Sequence, residues 1–440
     1  MFYPRNQRAL KTLFYIFLLL TMAACDLAYN KANFDQNFLI DWNNLSIETM
    51  KTDGINPVLA TRIYLYPNVA AYEVLAVNTS SLNTLFGKLI DFPEIAEAES
   101  EVNVHFSSIV AYYLVMKKLN YREDVLKDLF SIQAEAYQNN LTTDCYHKSL
   151  SYGEKVASLI WSWANNDQYK ETKAKPYYLS SGLPGSWKPT PPEYRPALEP
   201  HWGTLRLLTI THLDSFSIPF EIPYSEEVNS PFYQLAKEVY DSSFLLTENQ
   251  KSCALFWDDN PDLNNFQGHI PISRRHINPT AHWMSIIGQV LRKESLSVES
   301  TAELYAMVSI AFFDANLVCW ENKYRYDLIR PVTYIQEQID PYWKPLLVTP
   351  PFPEHTSGHS ACSAAAAVVL THLLGDNYSF TDSTHYDFGL GVRSFNSFED
   401  AAWEVSFSRF YGGIHYLTGV QKGSEQGFKV GDYIVKHMKL

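Results

Sequence analysis

The sequence predicts an all-α protein made of two packed helical bundles, and three observations carry that reading. Apolar residues recur at i, i+3 and i+4 in segments 56–77, 101–118, 124–138, 147–164, 231–246, 280–292 and 298–320, the spacing of half-buried helices. No run alternates in the way a half-buried strand requires. At 440 residues the chain is too long for one ordinary core, so its helices should sort into two or three packing units. An aromatic share of 15%, with 29 Tyr and 25 Phe, points to wide, well-filled helix interfaces.

In chain order, Arg5, Arg8 and Lys11 lead into the apolar run 12-TLFYIFLLLTMAA-24 and then Cys25. A basic stretch, a short apolar core and small residues before a cysteine describe an export leader rather than a structural helix. Met22-Ala23-Ala24-Cys25 resembles a bacterial lipobox. Residues 1–25 are therefore expected to be a lipoprotein signal peptide, with the mature protein exported and lipid-anchored at Cys25 in the cell envelope.

Residues 26–224 are expected to form an N-terminal helical region ending in a Pro-rich loop, and 225–440 a C-terminal helical domain. Segment 173–224 carries nine prolines, including 189-PTPPEYRP-196, and cannot hold a long helix. Aromatic residues among the prolines predict an ordered loop laid over a surface. Residues 376–396 are polar with Gly and Asn and predict a second long loop; loops of this length often cover a site. Ser397-Phe-Glu-Asp400 has the pattern of a capped helix start running to about Tyr411, where Gly412-Gly413 breaks it. Gly419, Gly423, Gly427 and Gly431 recur every fourth residue in a helical stretch. Each should cost about 1 kcal/mol against Ala, so the stripe predicts close approach of another helix.

The formal charge of −13 argues against nucleic acid as a partner. Any anion site needs local cations that work against that field. Beyond Cys25 no apolar run reaches the ~18 residues of a membrane span. Runs 305–320 and 361–374 are shorter, and the first contains Asp314. The body is expected to be water-soluble and to meet a membrane through its lipid. Cys145, Cys253, Cys319 and Cys362 are far apart with no CxxC or zinc spacing, and are expected to be buried free thiols.

Three stretches carry candidate chemistry. In 356-TSGHSACSAAAAVVLTHLL-374 a helix opens at Thr356 or Ser357, both natural N-caps. Gly358 lets backbone amides approach a ligand, the helix start favours an anion, and His359 can move a proton near neutral pH. In 320-WENKYRYDLIRP-331, Lys323 and Arg330 lie two helical turns apart, so both are expected on one helix face, with Pro331 limiting continuation. Two such cations can grip two edges of a tetrahedral oxyanion, Arg as a fork and Lys as a point charge. Arg325 is off that face and should be at the surface. In 408-SRFYGGIHYLTG-419, Arg409 closes a helix and His415 follows the Gly-Gly break. Taken singly, each stretch has a plain structural reading: a capped helix, a solvated face, a turn.

Together, Lys-x6-Arg-Pro, Ser-Gly-His and Ser-Arg-x5-His in this order resemble the three-part signature of the type 2 phosphatidic acid phosphatase and vanadium haloperoxidase superfamily. The match falls on Lys323, Arg330, Pro331, Ser357, Gly358, His359, Ser408, Arg409 and His415, across residues 320–419. Elsewhere the chain resembles the helical haloperoxidase-like branch, including pieces at Trp257-Asp258-Asp259-Asn260-Pro261 and His282-Trp283. The stretch 350-PPFPEHTSGH-359 looks like that of vanadium chloroperoxidases, and Phe352 and Trp320 stand where that branch has the rings of its halide pocket.

The resemblance implies roles. Lys323, Arg330, Arg409, Ser357 and Gly358 would cradle vanadate or phosphate. His415 would be the axial ligand of vanadium, or the nucleophile that takes a phosphoryl group, and His359 the general acid or base opposite. The implied activity is oxidation of halide by hydrogen peroxide with vanadate as cofactor. Two other readings remain: an acid phosphatase that hydrolyses soluble phosphoesters through phosphohistidine without a cofactor, and a surface lipoprotein that binds an oxyanion without turnover. Two residues depart from the pattern. Thr356 replaces a usual Pro, and Gly419 stands where the family often places an Asp that holds the far nitrogen of the second histidine. A backbone carbonyl or Asp314 is expected to take that task. The remaining histidines, His355 included, are expected to be surface or structural.

Overall fold

The computed structural model describes residues 38–120, 122–261, 263–267, 270–274 and 276–440. The leader and Cys25 lie outside the described residues.

The first bundle comprises α1 (Phe38–Asp53), α2 (Pro57–Ala76), α3 (Val104–Leu119), α4 (Glu123–Asn140) and α5 (Thr143–Asn165). Their starts follow local chemistry. Asn56 accepts from the Val58 and Leu59 amides with Pro57 in the first turn, Asn103 caps α3, and Thr142 caps α5. Helix α1 is the one the periodicity did not predict. Its inner face mixes Phe38, Ile40 and Trp42 with buried Asn43, Ser46 and Thr49. Asn43 and Asn68 exchange side-chain hydrogen bonds at 3.0 and 2.9 Å, so polar residues sit on the buried face and blur the apolar spacing.

After the short α6 (Tyr169–Lys173), the Pro-rich segment runs with two 3-10 turns as its regular structure. It is pinned along its length, as an ordered overlay requires. The Leu198 amide donates to the Pro351 carbonyl, and the Leu198 carbonyl accepts from Tyr324 Oη and Trp320 Nε1. Asp314 serves this segment rather than a histidine. Its buried carboxylate accepts from the Leu208 and Thr209 amides and the Thr209 hydroxyl.

The second half holds α7 (Pro231–Leu245), α8 (Glu248–Phe256), the antiparallel hairpin β1 (Leu263–Gln267) and β2 (Ile270–Arg274), α9 (Pro279–Glu294) and α10 (Val298–Tyr326). Then come α11 (Pro331–Gln338), α12 (Gly358–Leu374), the hairpin β3 (Phe380–Asp382) and β4 (Arg393–Phe395), α13 (Phe398–Tyr411) and α14 (Leu417–Met438). Helix α10 is long and apolar enough to cross a membrane, yet 94% of its most apolar stretch is buried inside the molecule. It is a core helix. It packs on α2 of the first bundle and on α12 and α14 of the second, and one apolar cluster runs from Phe38 to Met438.

Helices α12 and α14 form the most extensive helix pair, and the glycine stripe is their seam. A Cβ at Gly427 would come within 2.0 Å of the Ala361 carbonyl oxygen, and one at Gly423 within 2.7 Å of that of Ser357. The stripe thus brings α14 against the start of α12, where the Ser-Gly-His triplet lies. Cys145, Cys253, Cys319 and Cys362 are free and buried, as expected.

Two expectations need correction. Lys323 and Arg330 do not share a helix face. Helix α10 ends at Tyr326, Asp327 turns left-handed with φ 47°, and Arg330 is the N-cap of α11 with Pro331 in its first turn. The two cations converge because the chain reverses between them, and Pro331 starts a helix rather than ending one. The loop 376–396 is a hairpin whose Asp382 and His385 are buried.

Candidate active site

Four chain ends meet at one buried pocket: the end of α10, the start of α11, the start of α12 and the turn between α13 and α14. Ser357 caps α12, its hydroxyl oxygen accepting from the Ser360 amide at 3.3 Å and the Ser360 hydroxyl at 2.8 Å. The Ser357 hydroxyl keeps its own proton to donate. Gly358 keeps α12 close to Trp320, since a Cβ there would stand 3.2 Å from Trp320 Cζ3. Arg409 lies in the last turn of α13, and Gly413, at φ 73°, makes the corner that delivers His415.

The pocket is lined by Trp320, Phe352, Gly358, His359, Arg409 and His415. Lys323, Arg330 and Ser357 are fully buried and lie outside its immediate lining. Lys323 Nζ donates to the carbonyls of Pro353, Glu354 and Thr356. Arg330 donates Nε to the Phe352 carbonyl at 2.8 Å and Nη1 to the Ile414 carbonyl at 2.8 Å, and Nη1 lies 3.1 Å from His415 Nε2. Arg409 donates Nη1 to the Trp257 carbonyl and stands 3.8 Å from Asp258. A second cavity adjoins the first through Phe352, His359 and Arg409, and the Pro-rich segment contributes Arg195 and Leu198 to it. No residue of 376–396 lines either cavity among the described residues.

The electrostatics are unusual for a protein interior. Burial, with Arg330 nearby, pulls the Lys323 ammonium down to about 8. Burial, with Arg409 nearby, pulls Arg330 down to about 10. His415 and His359 are held well below the ordinary imidazole range, first by burial and then by these cations, so both rings are neutral. Two buried donor atoms, Arg330 Nη2 and Arg409 Nε, and the ring nitrogen His359 Nε2 lack a partner among the described residues. Buried polar groups are rarely left so. A small anion with several acceptor oxygens, placed among them, would satisfy these donors and offset the clustered charge.

Sequence reasoning missed the group that meets His415. It is neither a backbone carbonyl nor Asp314 but Glu354, whose Oε1 is 2.7 Å from His415 Nδ1. Burial lifts the Glu354 carboxyl to about 7, against the pull of Arg330 and Lys323. The residue stands in 350-PPFPEHTSGH-359, five before His359, so proximity to the Ser-Gly-His triplet was the available signal. His355 is buried and structural, its Nε2 2.8 Å from the Ile218 carbonyl oxygen. Arg325 is at the surface, paired with Asp214 and Glu321.

Behind Arg409 lies a second cluster, also unforeseen. His282 Nδ1 is 2.9 Å from Asp259, His282 Nε2 is 2.7 Å from Asp382, and His385 Nε2 is 2.9 Å from Asp259. His282 stacks on Trp257 at 4.3 Å between centroids. Ligands around one tetrahedral zinc stand about 3.3 Å apart, given metal–ligand distances near ~2 Å. The shorter separations here are those of proton-bound partners. The cluster packs on Trp257, whose carbonyl accepts from Arg409.

These observations define a two-bundle helical protein with a buried, cation-rich pocket, and comparison with known proteins places it further. Residues 303–440 match the family described as the VCPO second helical-bundle domain. The chain is similar to a bacterial vanadium-dependent iodoperoxidase of known structure, with 38% identity, 92% of this chain and 97% of that one covered, and a TM-score of 0.86. It shares its fold with a holo-type bacterial vanadium-dependent chloroperoxidase at 16% identity, 88% and 92% coverage and TM-score 0.66. Curated proteins give no match. The chain belongs to the vanadium-dependent haloperoxidase family and is an enzyme.

Proposed function

We propose that this enzyme oxidises halide, iodide foremost, with hydrogen peroxide, using vanadate that Lys323, Arg330, Arg409, Ser357 and Gly358 would cradle and His415 would ligate. One observation carries the reading: three buried cations surround the His415 imidazole, and Arg330 Nη2 and Arg409 Nε are left without acceptors among the described residues. The likeness to the bacterial iodoperoxidase supports the choice of halide. The leader and Cys25 support a lipid-anchored protein of the cell envelope.

Bound vanadate would supply a Lewis-acid centre that activates hydrogen peroxide toward two-electron oxidation of halide. The chain's own groups do the rest. Lys323, Arg330 and Arg409 would offset the charge of the anion's oxygens, with the Ser357 hydroxyl and Gly358 amide adding neutral donors. His415, held neutral, offers a lone pair at Nε2. His359, also neutral and with Nε2 unpartnered, can accept a proton from incoming peroxide and return it to the leaving oxygen. Trp320 and Phe352 give the pocket an apolar wall that strips water from a large, polarisable halide.

The test is to load the protein with orthovanadate and follow triiodide formation, and bromination and chlorination of monochlorodimedone, with peroxide. Hydrolysis of p-nitrophenyl phosphate is followed in parallel without vanadate. The expected result is vanadate-dependent iodide oxidation that falls at least about 100-fold in His415→Ala. Phosphoester hydrolysis without halide oxidation would replace this reading with the phosphatase, and tight vanadate binding without either activity with the non-catalytic one.

A further inference from the structure

We infer that Glu354 is the positioning residue of His415 and that Gly419 is the space that admits it. This deepens the functional reading and rests on His415 being the vanadate ligand.

The Arg330 guanidinium, which cannot accept a hydrogen bond, fixes the His415 tautomer. The Tyr416 amide, an obligatory donor, points at Glu354 Oε1 at 3.1 Å. That oxygen accepts from the amide, and His415 Nδ1 lies 2.7 Å from it. On the other edge of the ring, Arg330 Nη1 has no lone pair and lies 3.1 Å from His415 Nε2, so Nε2 is the acceptor. A neutral ring with its lone pair at Nε2 carries its proton on Nδ1, facing Glu354. That form presents a ligating nitrogen to the cradle, and a carboxylate behind the other nitrogen fixes the ring plane and raises its basicity.

Glu354 is held by its own backbone. Its amide donates to the Leu328 carbonyl at 3.0 Å, and its carbonyl accepts from Lys323 Nζ at 3.0 Å. One residue thus ties the orientation of His415 to the position of a cradle cation. Its side chain occupies the volume that any side chain at 419 would need. A Cβ on Gly419 would lie 2.2 Å from Glu354 Oε1 and 2.8 Å from Oε2. A carboxylate cannot be delivered from 354 and from 419 together, by volume or by charge. The Asp that the resemblance leads one to expect at 419 is absent because the carboxylate arrives from the opposite wall, on the segment before α12 instead of the first turn of α14.

The experiment uses the full chain with histidine labelled in its ring nitrogens. Nuclear magnetic resonance reads the His415 tautomer, vanadate titration reads affinity, and thermal melting checks folding. Glu354→Ala should lose the Nδ1–H form and weaken vanadate binding about 10- to 100-fold. The double variant Glu354→Ala with Gly419→Asp should recover at least about tenfold of that affinity and restore the tautomer, which a merely structural role would not do. Gly419→Ala, which crowds the carboxylate, should weaken vanadate while Glu354 is still present. Should Glu354→Ala fail to fold, Glu354→Gln takes its place, with weaker binding as the expected result. Unchanged tautomer and affinity in a folded Glu354 variant would overturn the inference. If the native protein binds no vanadate, the functional reading falls, and the tautomer measurement still decides this inference.

Discussion

The Trp320 ring lies 5.0 Å from the Phe352 ring, centroid to centroid, and tilts 52° to it. Phe352 also carries two cations on its ring, with Lys323 Nζ and Arg330 Cζ each 4.9 Å from its centroid. The pair therefore has two sides: Phe352 stacks on the cradle, while Trp320 extends the apolar wall.

That division predicts different phenotypes for the two rings. Trp320→Ala should raise the halide KM several-fold with vanadate affinity changed less than about threefold, since the indole sits 5.8 Å from Lys323 Nζ and gives up little cation–π contact. Phe352→Ala should weaken vanadate binding about tenfold and halide turnover with it, because each of two desolvated cations loses a partner. Vanadate titration beside steady-state halide kinetics checks both.

The Asp259–His282–Asp382 cluster predicts a pH signature in stability. Burial alone would lower the His282 imidazole, but the two carboxylates outweigh it and lift the ring to about 10. Burial alone would raise Asp259 and Asp382, yet His282 holds both below the usual carboxylate range. A raised histidine contributes stability in full below about pH 6.5 and loses it as pH climbs toward 10. The depressed carboxylates contribute above about pH 4 and lose their share on acidification. His282→Ala leaves two buried carboxylates unpaired and should cost about 3–5 kcal/mol. The deficit against the native protein should be widest near pH 5–6 and narrow toward pH 10, which denaturant melts across that range would read.

The seam between α12 and α14 predicts a structural sensitivity with a functional echo. Gly427→Ala would push a methyl into the Ala361 carbonyl 2.0 Å away, with rigid backbone on both sides. It should destabilise by at least about 2–3 kcal/mol and, by shifting the start of α12, weaken vanadate binding. Lys429→Ala, on the exposed side of α14 and paired with Glu425, should change stability by less than about 1 kcal/mol. Thermal melting with and without vanadate separates the two.

Much of the site could be read from the chain because its parts are local. Ser357 caps the helix that its own sequence opens, and Gly412-Gly413 marks the corner that turns out His415. Helix spacing located seven helices, and the glycine stripe gave the α12–α14 seam. The misses are one helix end and several contacts between segments far apart in sequence. Lys323 and Arg330 were placed on one helix because seven residues equal two turns, while the left-handed Asp327 that ends the helix leaves no trace in periodicity. Glu354 reaches His415 across 61 residues and Asp382 reaches His282 across 100, pairings that no local pattern encodes. The buried Asn43–Asn68 pair hid α1 for the same reason: its polar inner face makes sense once its partner helix is in place.

The most direct test of the central claim is vanadium K-edge absorption on the vanadate-loaded enzyme and on His415→Ala. The account predicts one nitrogen among the nearest neighbours of vanadium in the native protein. In the variant it predicts an all-oxygen shell around an anion still held by Lys323, Arg330 and Arg409. An all-oxygen shell in the native protein, or a nitrogen that persists in the variant, would contradict it.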